Sequence, residues 1–113
     1  VSFKDVAAGA YDVLLVPAAF TKVTGQAHWL PLLQARAIEN QCYVVAANQC
    51  GSHDGNRETW GHSVIIDPWG EILAQQGYQP GLIAASLDRQ KIEHIRNTMP
   101  VQLHARLTPV WRE

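Results

Sequence analysis

Two short apolar runs, DVLLV at residues 12–16 and YVVAA at residues 43–47, frame the stretch HWLPLLQARAIEN at residues 28–40. Continuous apolar runs of this length suit buried strands, whereas Trp29, Leu32, Leu33 and Ala37 recur at the three- and four-residue spacing of one helical face. Strand, loop, helix and strand follow one another, which favours folds that layer helices on a sheet over sandwiches and bundles. Arg36, Glu39 and Asn40 fall off the apolar stripe. Pro31 would remove a hydrogen bond and clash with the preceding turn deep inside a helix, so it belongs in the first turn or at a kink.

The flanking segments extend this pattern. Residues 3–10 have the alanine-rich, apolar-spaced character of a helix, with Gly9 where a left-handed C-terminal residue belongs. Pro17 is expected to end the first strand. AAFTKVTG, residues 18–25, is expected to form a loop at that strand's C-terminal edge, where open α/β sheets place their ligand sites. Residues 48–60 are polar and contain Gly and Asp, the composition of a surface loop. HSVII (62–66) and EILA (71–74) flank Asp67-Pro68-Trp69-Gly70, where Asp, Pro and Gly hold the first, second and fourth positions of a type I turn and so connect a hairpin. After the turn GYQPG, residues 82–87 read as a further strand, Asp88 as a helix N-cap and residues 89–97 as a helix. Ile92, Ile95 and Met99 share its apolar face before Pro100 stops the pattern. No internal repeat or low-complexity segment interrupts the chain.

Composition narrows the class of partner. The 113 residues are 47% hydrophobic and 17% charged, enough apolar content for one small core. Nine basic against ten acidic residues, without a Lys/Arg-rich block, give no electrostatic footprint for nucleic acid or an anionic membrane. The longest apolar run, residues 13–20, is too short to span a bilayer, and no signal-peptide pattern opens the chain, so a cytosolic setting is the expectation. The opening, without Met and on what reads as a helix end running into a strand, looks cut rather than natural.

The residues give no catalytic set. Cys42 heads a run of Tyr, Val and Val, whereas a nucleophilic thiol needs a nearby base or positive charge and an exposed position, so Cys42 reads as structural. Cys50, before Gly51, reads the same way. With no second cysteine pair, the two make neither a disulfide framework nor a zinc pattern. His28, His53, His62, His94 and His104 lack a second ligand at zinc spacing, so no metal or other cofactor is expected. His28 is placed to hydrogen-bond the 18–25 loop, and Arg36 with Glu39 to pair one helical turn apart. GSHDG and DPWG lack the spacing of a phosphate cradle, and no Gly-x-Ser-x-Gly elbow is present.

Four segments in order, LLVPAAFTKVTGQAHW, QARAIENQCYVVAANQCG, GHSVIIDPWGEILA and MPVQLHARL, together resemble the nitrilase superfamily of carbon-nitrogen hydrolases. Their wording is most similar to the amidases acting on deaminated glutathione and related omega-amides. The resemblance implies an α/β fold, the C-terminal part of a nitrilase-type α-β-β-α sandwich with a mixed sheet and helices on one face. It implies a small-molecule amide substrate, a homo-oligomer in the intact protein, and hydrolysis through a Cys thioester assisted by a Glu base and a Lys. The nucleophile's Cys-Tyr-Asp-x-Arg-Phe-Pro type segment would fall upstream of Val1. Lys4, Lys22 and Lys91 lie outside the family's lysine context, so the resemblance assigns no catalytic residue here and this chain alone is expected to be inactive. It does carry over a pocket wall: Phe20 and Thr21 beside the nucleophile, and the pair His28 and Trp29. Leu30 and Pro31 depart from relatives that have Glu and an aliphatic residue there. The rival expectation is a non-catalytic half-domain or assembly partner of a nitrilase-like protein.

Overall fold

The computed structural model describes residues 11–104, 106, 107 and 110, and the helix expected over residues 3–10 lies outside them. Strand β1 (Val13–Ala18) leads into a single helical turn, α1 (Lys22–Thr24), a π-helical turn (Gly25–Trp29) and helix α2 (Leu30–Asn40). Strands β2 (Tyr43–Asn48), β3 (Cys50–His53), β4 (Arg57–Trp60), β5 (Val64–Ile66) and β6 (Ile72–Gln75) follow, then helix α3 (Arg89–Thr98) and a 3-10 turn (Val101–His104). The main sheet has the order β1-β2-β5-β6 and is mixed: β1 and β2 run parallel from Val13 opposite Tyr43 to Ala18 opposite Asn48, and β5 and β6 add on antiparallel. β3 and β4 form a separate hairpin.

The core lies under α2. Trp29, Leu33 and Ala37 recur every fourth residue and bury this stripe against Val44 and Ala46 of β2 and Val64 and Ile66 of β5. Val44, Val64 and Ile66 lose all contact with water, and each such burial stabilises by about 1.5–3 kcal/mol. Leu32, expected on the core side, sits about 100° around the helix from Leu33 and is 46% exposed. Asn40, expected off the stripe, is buried and donates through Nδ2 to the Arg36 carbonyl at 2.9 Å. Arg36 and Glu39 do pair, on the exposed side.

Pro31 is the second residue of α2, preceded by the π-helical turn. The wider turn gives room where the proline ring would press on the carbonyl four residues back, which accounts for the local departure from α geometry. At the other end Gln41 adopts a left-handed conformation (φ 50°), a position usually taken by glycine. Its buried side chain donates to the Met99 carbonyl at 2.7 Å, so the residue that ends α2 also anchors the end of α3.

Other expectations needed correction. The first strand does not stop at Pro17 and is not buried on both faces. β1 continues to Ala18, and Leu15 is 69% exposed. Among the described residues β1 is an edge strand, so the missing N–H of Pro17 costs no ladder bond on its open side. The expected 18–25 loop is partly helical, with Ala18 ending β1 and residues 22–25 in helical turns. Residues 48–60 are not a loop but close as the β3–β4 hairpin, reversing through Gly55 and Asn56, both at positive φ. Residues 82–87 join no ladder among the described residues, and Leu82 is 94% exposed.

The DPWG turn forms as its chemistry dictates. The Gly70 N–H reaches the Asp67 carbonyl at 2.9 Å, and Asp67 Oδ1 accepts the N–H groups of Trp69 and Glu71, each at 2.9 Å. Asp88 caps α3 by accepting the Gln90 N–H at 2.9 Å, and its own N–H is held by the Tyr43 hydroxyl at 2.9 Å. Ile92 and Ile95 are buried, whereas Met99, just past the helix, is 40% exposed.

Candidate functional site

The parallel pair β1–β2 ends at Ala18 and Asn48, and beyond its C-terminal edge the chain segments 19–29, 48–50 and 60–63 converge. Asn48 joins them. Its side chain is buried at the strand's last position, accepts the Phe20 N–H through Oδ1 at 2.8 Å, and donates through Nδ2 to the Gly61 carbonyl at 2.9 Å. Its backbone N–H reaches Ser63 Oγ at 3.1 Å. The Phe20 carbonyl accepts the Trp60 N–H at 2.8 Å, so the backbone of Phe20 is held from both sides.

The four residues carried over from the resemblance occupy different environments. The Phe20 and Trp29 rings meet with centroids 5.0 Å apart at 59°. Trp29 is only 1% exposed, and its indole N–H donates to the His62 carbonyl at 2.8 Å. Trp29 thus backs the wall formed by Phe20 rather than opening onto solvent. Thr21 is exposed, hydrogen-bonds Thr24 between hydroxyls at 2.8 Å, and bridges to Thr59 of β4. His28 is exposed on the π-helical turn, and among the described residues its imidazole makes no hydrogen bond to the 18–25 segment.

On the hairpin side an aromatic cluster adjoins this wall. Trp60 and His62 stack with centroids 4.0 Å apart, and Tyr78 meets both edge-on at 5.1 Å. Gly61 and His62 both have positive φ, 67° and 55°, and this tight reversal turns the His62 carbonyl to Trp29 while His62 Nδ1 lies 2.6 Å from the Trp60 carbonyl. Lys22 pairs with Glu58 at 3.2 Å and lies 5.5 Å from the centre of the Tyr78 ring. The hydrogen bond and charge of Glu58 hold the Lys22 ammonium above its ordinary pKa. Two clefts flank the cluster, one of about 330 Å³ lined by Lys22, Glu58 and Tyr78 among others, and one of about 190 Å³ that includes Asn48, Cys50 and His62.

Neither cysteine has the surroundings of a nucleophile. Cys42 is fully buried, and burial pushes its thiol up to about 11, with the nearby Arg96 charge opposing the shift only in part. Cys50 is half-buried at the start of β3. Among the described residues no three His, Cys, Asp or Glu side chains gather as a metal site would require.

Asn48, Tyr78 and the Lys22–Glu58 pair were not identified from sequence. Asn48 carried one signal, a polar residue closing an apolar strand. The others are brought together by the hairpin, whose pairing the polar composition of residues 50–60 concealed.

Comparison with known proteins follows the same segments. The carbon-nitrogen hydrolase family model matches residues 4–97. The chain is 55% identical over 93 residues to the deaminated glutathione amidase of Synechocystis sp., covering 82% of this chain and 34% of that protein. The crystal structure of the Caenorhabditis elegans NitFhit protein superposes with a TM-score of 0.81 at 47% identity, covering 84% of this chain and 23% of that one. Saccharomyces cerevisiae Nit3, a member of branch 10 of the nitrilase superfamily, gives a TM-score of 0.78 at 35% identity, covering 84% of this chain and 35% of that one. The chain spans about a third of the length of the curated relatives it matches.

Proposed function

The chain belongs to the carbon-nitrogen hydrolase family, and on that premise we propose that it forms the C-terminal part of an enzyme hydrolysing a small amide of the deaminated glutathione or omega-amide type. The observation that carries this reading is the 55% identity over 93 residues to a deaminated glutathione amidase. In this reading Phe20 and Thr21, backed by Trp29 and flanked by His28, form one wall of the substrate pocket.

The chemistry is that of an acyl thioester. A thiolate attacks the amide carbonyl, the C–N bond breaks, and ammonia or an amine leaves with a proton from the general base. Water activated by the same base then cleaves the thioester and restores the thiol, while a lysine and a backbone N–H hold the oxyanion. The high pKa and full burial of Cys42 argue against it as this thiol, which supports assigning the nucleophile to a residue outside the chain, where the base and lysine are proposed to lie as well. The intact protein is proposed to be a homo-oligomer working in the cytosol. Among the described residues no helix is long and apolar enough to cross a membrane.

The test is release of ammonia or amine from omega-amide substrates by the full natural polypeptide that contains this sequence, beside the 113-residue chain alone. Turnover by the former and none by the latter is expected. Turnover by the isolated chain would overturn the assignment of the nucleophile elsewhere, and an inactive full polypeptide would favour a non-catalytic assembly partner. The exposed apolar Leu15 and Leu73 on the sheet are the feature such a partner would use.

A further inference from the structure

Four contacts and one step along the chain close a ring around the proposed wall. Asn48 holds the Phe20 N–H, the Phe20 ring packs on Trp29, and the Trp29 indole holds the His62 carbonyl. The chain then runs back one residue to Gly61, whose carbonyl takes the Asn48 Nδ2–H. Asn48 links two backbone segments of the ring through a single rigid group. A planar carboxamide offers an acceptor on one side and a donor on the other, and here each is used, on a backbone N–H and a backbone C=O respectively. An aliphatic side chain supplies neither. A carboxylate supplies only acceptors and sets its charge against the Gly61 carbonyl.

We propose that Asn48 is a positioning residue that fixes the separation between the Phe20–Thr21 wall and the Gly61–His62 turn, and with it the width of the substrate cleft. This rests on the amidase reading above. The wall would contact the part of the substrate that does not react, so its displacement weakens ground state and transition state alike, and the loss is read in KM rather than kcat.

The experiment uses the full natural polypeptide containing this sequence, with a simple omega-amide as substrate. Asn48→Ala deletes both hydrogen bonds and is expected to raise KM about tenfold, about 1.4 kcal/mol of lost binding, with kcat little changed. Asn48→Asp supplies the readout that a merely structural role would not give. With its carboxyl protonated it can again accept from Phe20 and donate to Gly61. Its KM relative to wild type at the same pH should therefore approach unity at low pH and climb toward that of Asn48→Ala as the carboxyl ionises. The titratable groups lining the neighbouring cleft, Cys50 and His62, are common to both proteins and cancel in that ratio.

Amide hydrogen exchange gives an answer independent of turnover. Phe20 should lose protection in Asn48→Ala while the Val44 and Val45 amides of β2 keep theirs. Unchanged Phe20 exchange, or a fall in kcat at constant KM, would overturn the proposal. Absence of turnover in the wild type would refute the amidase reading and with it the role in substrate width, while the exchange readout would still decide whether Asn48 closes the ring.

Discussion

The indole N–H of Trp29 donates to the backbone carbonyl of His62 at 2.8 Å, joining the π-helical turn to a reversal 33 residues further along the chain. His62 can present that carbonyl because it adopts positive φ beside Gly61, and Trp29 can reach it because the widened turn precedes Pro31. Two unusual backbone conformations meet in one hydrogen bond. Trp29→Phe keeps the ring against Phe20 but deletes the donor, leaving a half-buried carbonyl unpaired. The expected loss is about 1–2 kcal/mol in urea unfolding, against about 3–5 kcal/mol for Trp29→Ala, which also empties the core.

Asp67 predicts a pH dependence. Burial alone would push its carboxyl up, but the Lys91 ammonium and the N–H groups of Glu71 and Trp69 outweigh burial and hold it below the ordinary carboxylate range. A carboxyl depressed in the folded state contributes stability above its unfolded pKa of about 3.9, and loses that contribution as pH falls through the folded value. Asp67→Asn should therefore cost about 1.5–3 kcal/mol at neutral pH, the hydrogen bond to a charged group. It should also flatten the fall in stability below about pH 4. A variant with an unaltered acid limb in unfolding measurements would contradict this.

Cys42 is the reverse case. Its thiol titrates at about 11 in the folded protein against an ordinary value of 9.0, so between those values the unfolded chain gives up a proton that the folded one keeps. Stability should fall as pH rises through that window. At pH 8 iodoacetamide should label the half-buried Cys50 well ahead of the fully buried Cys42, with both labelled equally after unfolding, as peptide mass spectrometry will report.

Gly25 matters for space rather than for φ. A Cβ there would lie 2.3 Å from Trp60 Cβ and 2.4 Å from its Cγ. Gly25→Ala should force the π-helical turn and β4 apart at a cost of about 1–3 kcal/mol, visible as a lowered Tm and altered fluorescence of Trp60. Gly55→Ala, where a Cβ meets nothing within 4 Å but φ is 78°, separates the two causes, since only backbone strain acts there.

What could be read from the chain were features that single residues enforce locally. DPWG closes because Asp67, Pro68 and Gly70 each favour their own place in the turn, and Asp88 caps α3 because its side chain reaches the second N–H of the helix. Continuous apolar runs marked β1 and β2. Features set by distant neighbours stayed hidden. The hairpin of residues 50–60 has exposed polar side chains on both faces, so no alternation betrays it. Pro17 is tolerated in a strand only because β1 is an edge among the described residues. The segment 82–87 has the apolar content of a strand yet joins no described ladder. Phe20 and Trp29 could be named from the resemblance, but the amide that ties Phe20 to Gly61 belongs to Asn48, which the sequence marks only as a polar residue closing an apolar strand.

The sheet also carries an order of assembly. β5 and β6 pair across a four-residue turn whose own hydrogen bonds define it, β2 joins β5 across the β3–β4 hairpin, and β1 reaches β2 only after the whole helical crossover is in place. Loop-closure entropy rises with the length of chain to be closed, so the sheet should nucleate at Asp67–Gly70 and grow toward β1. Substitutions at Gly70 should then slow refolding, whereas shortening Leu14 or Val16 should chiefly speed unfolding. In kinetic terms the proposed wall that hangs from the end of β1 should be the last of the described residues to be built into the sheet and the first to come undone.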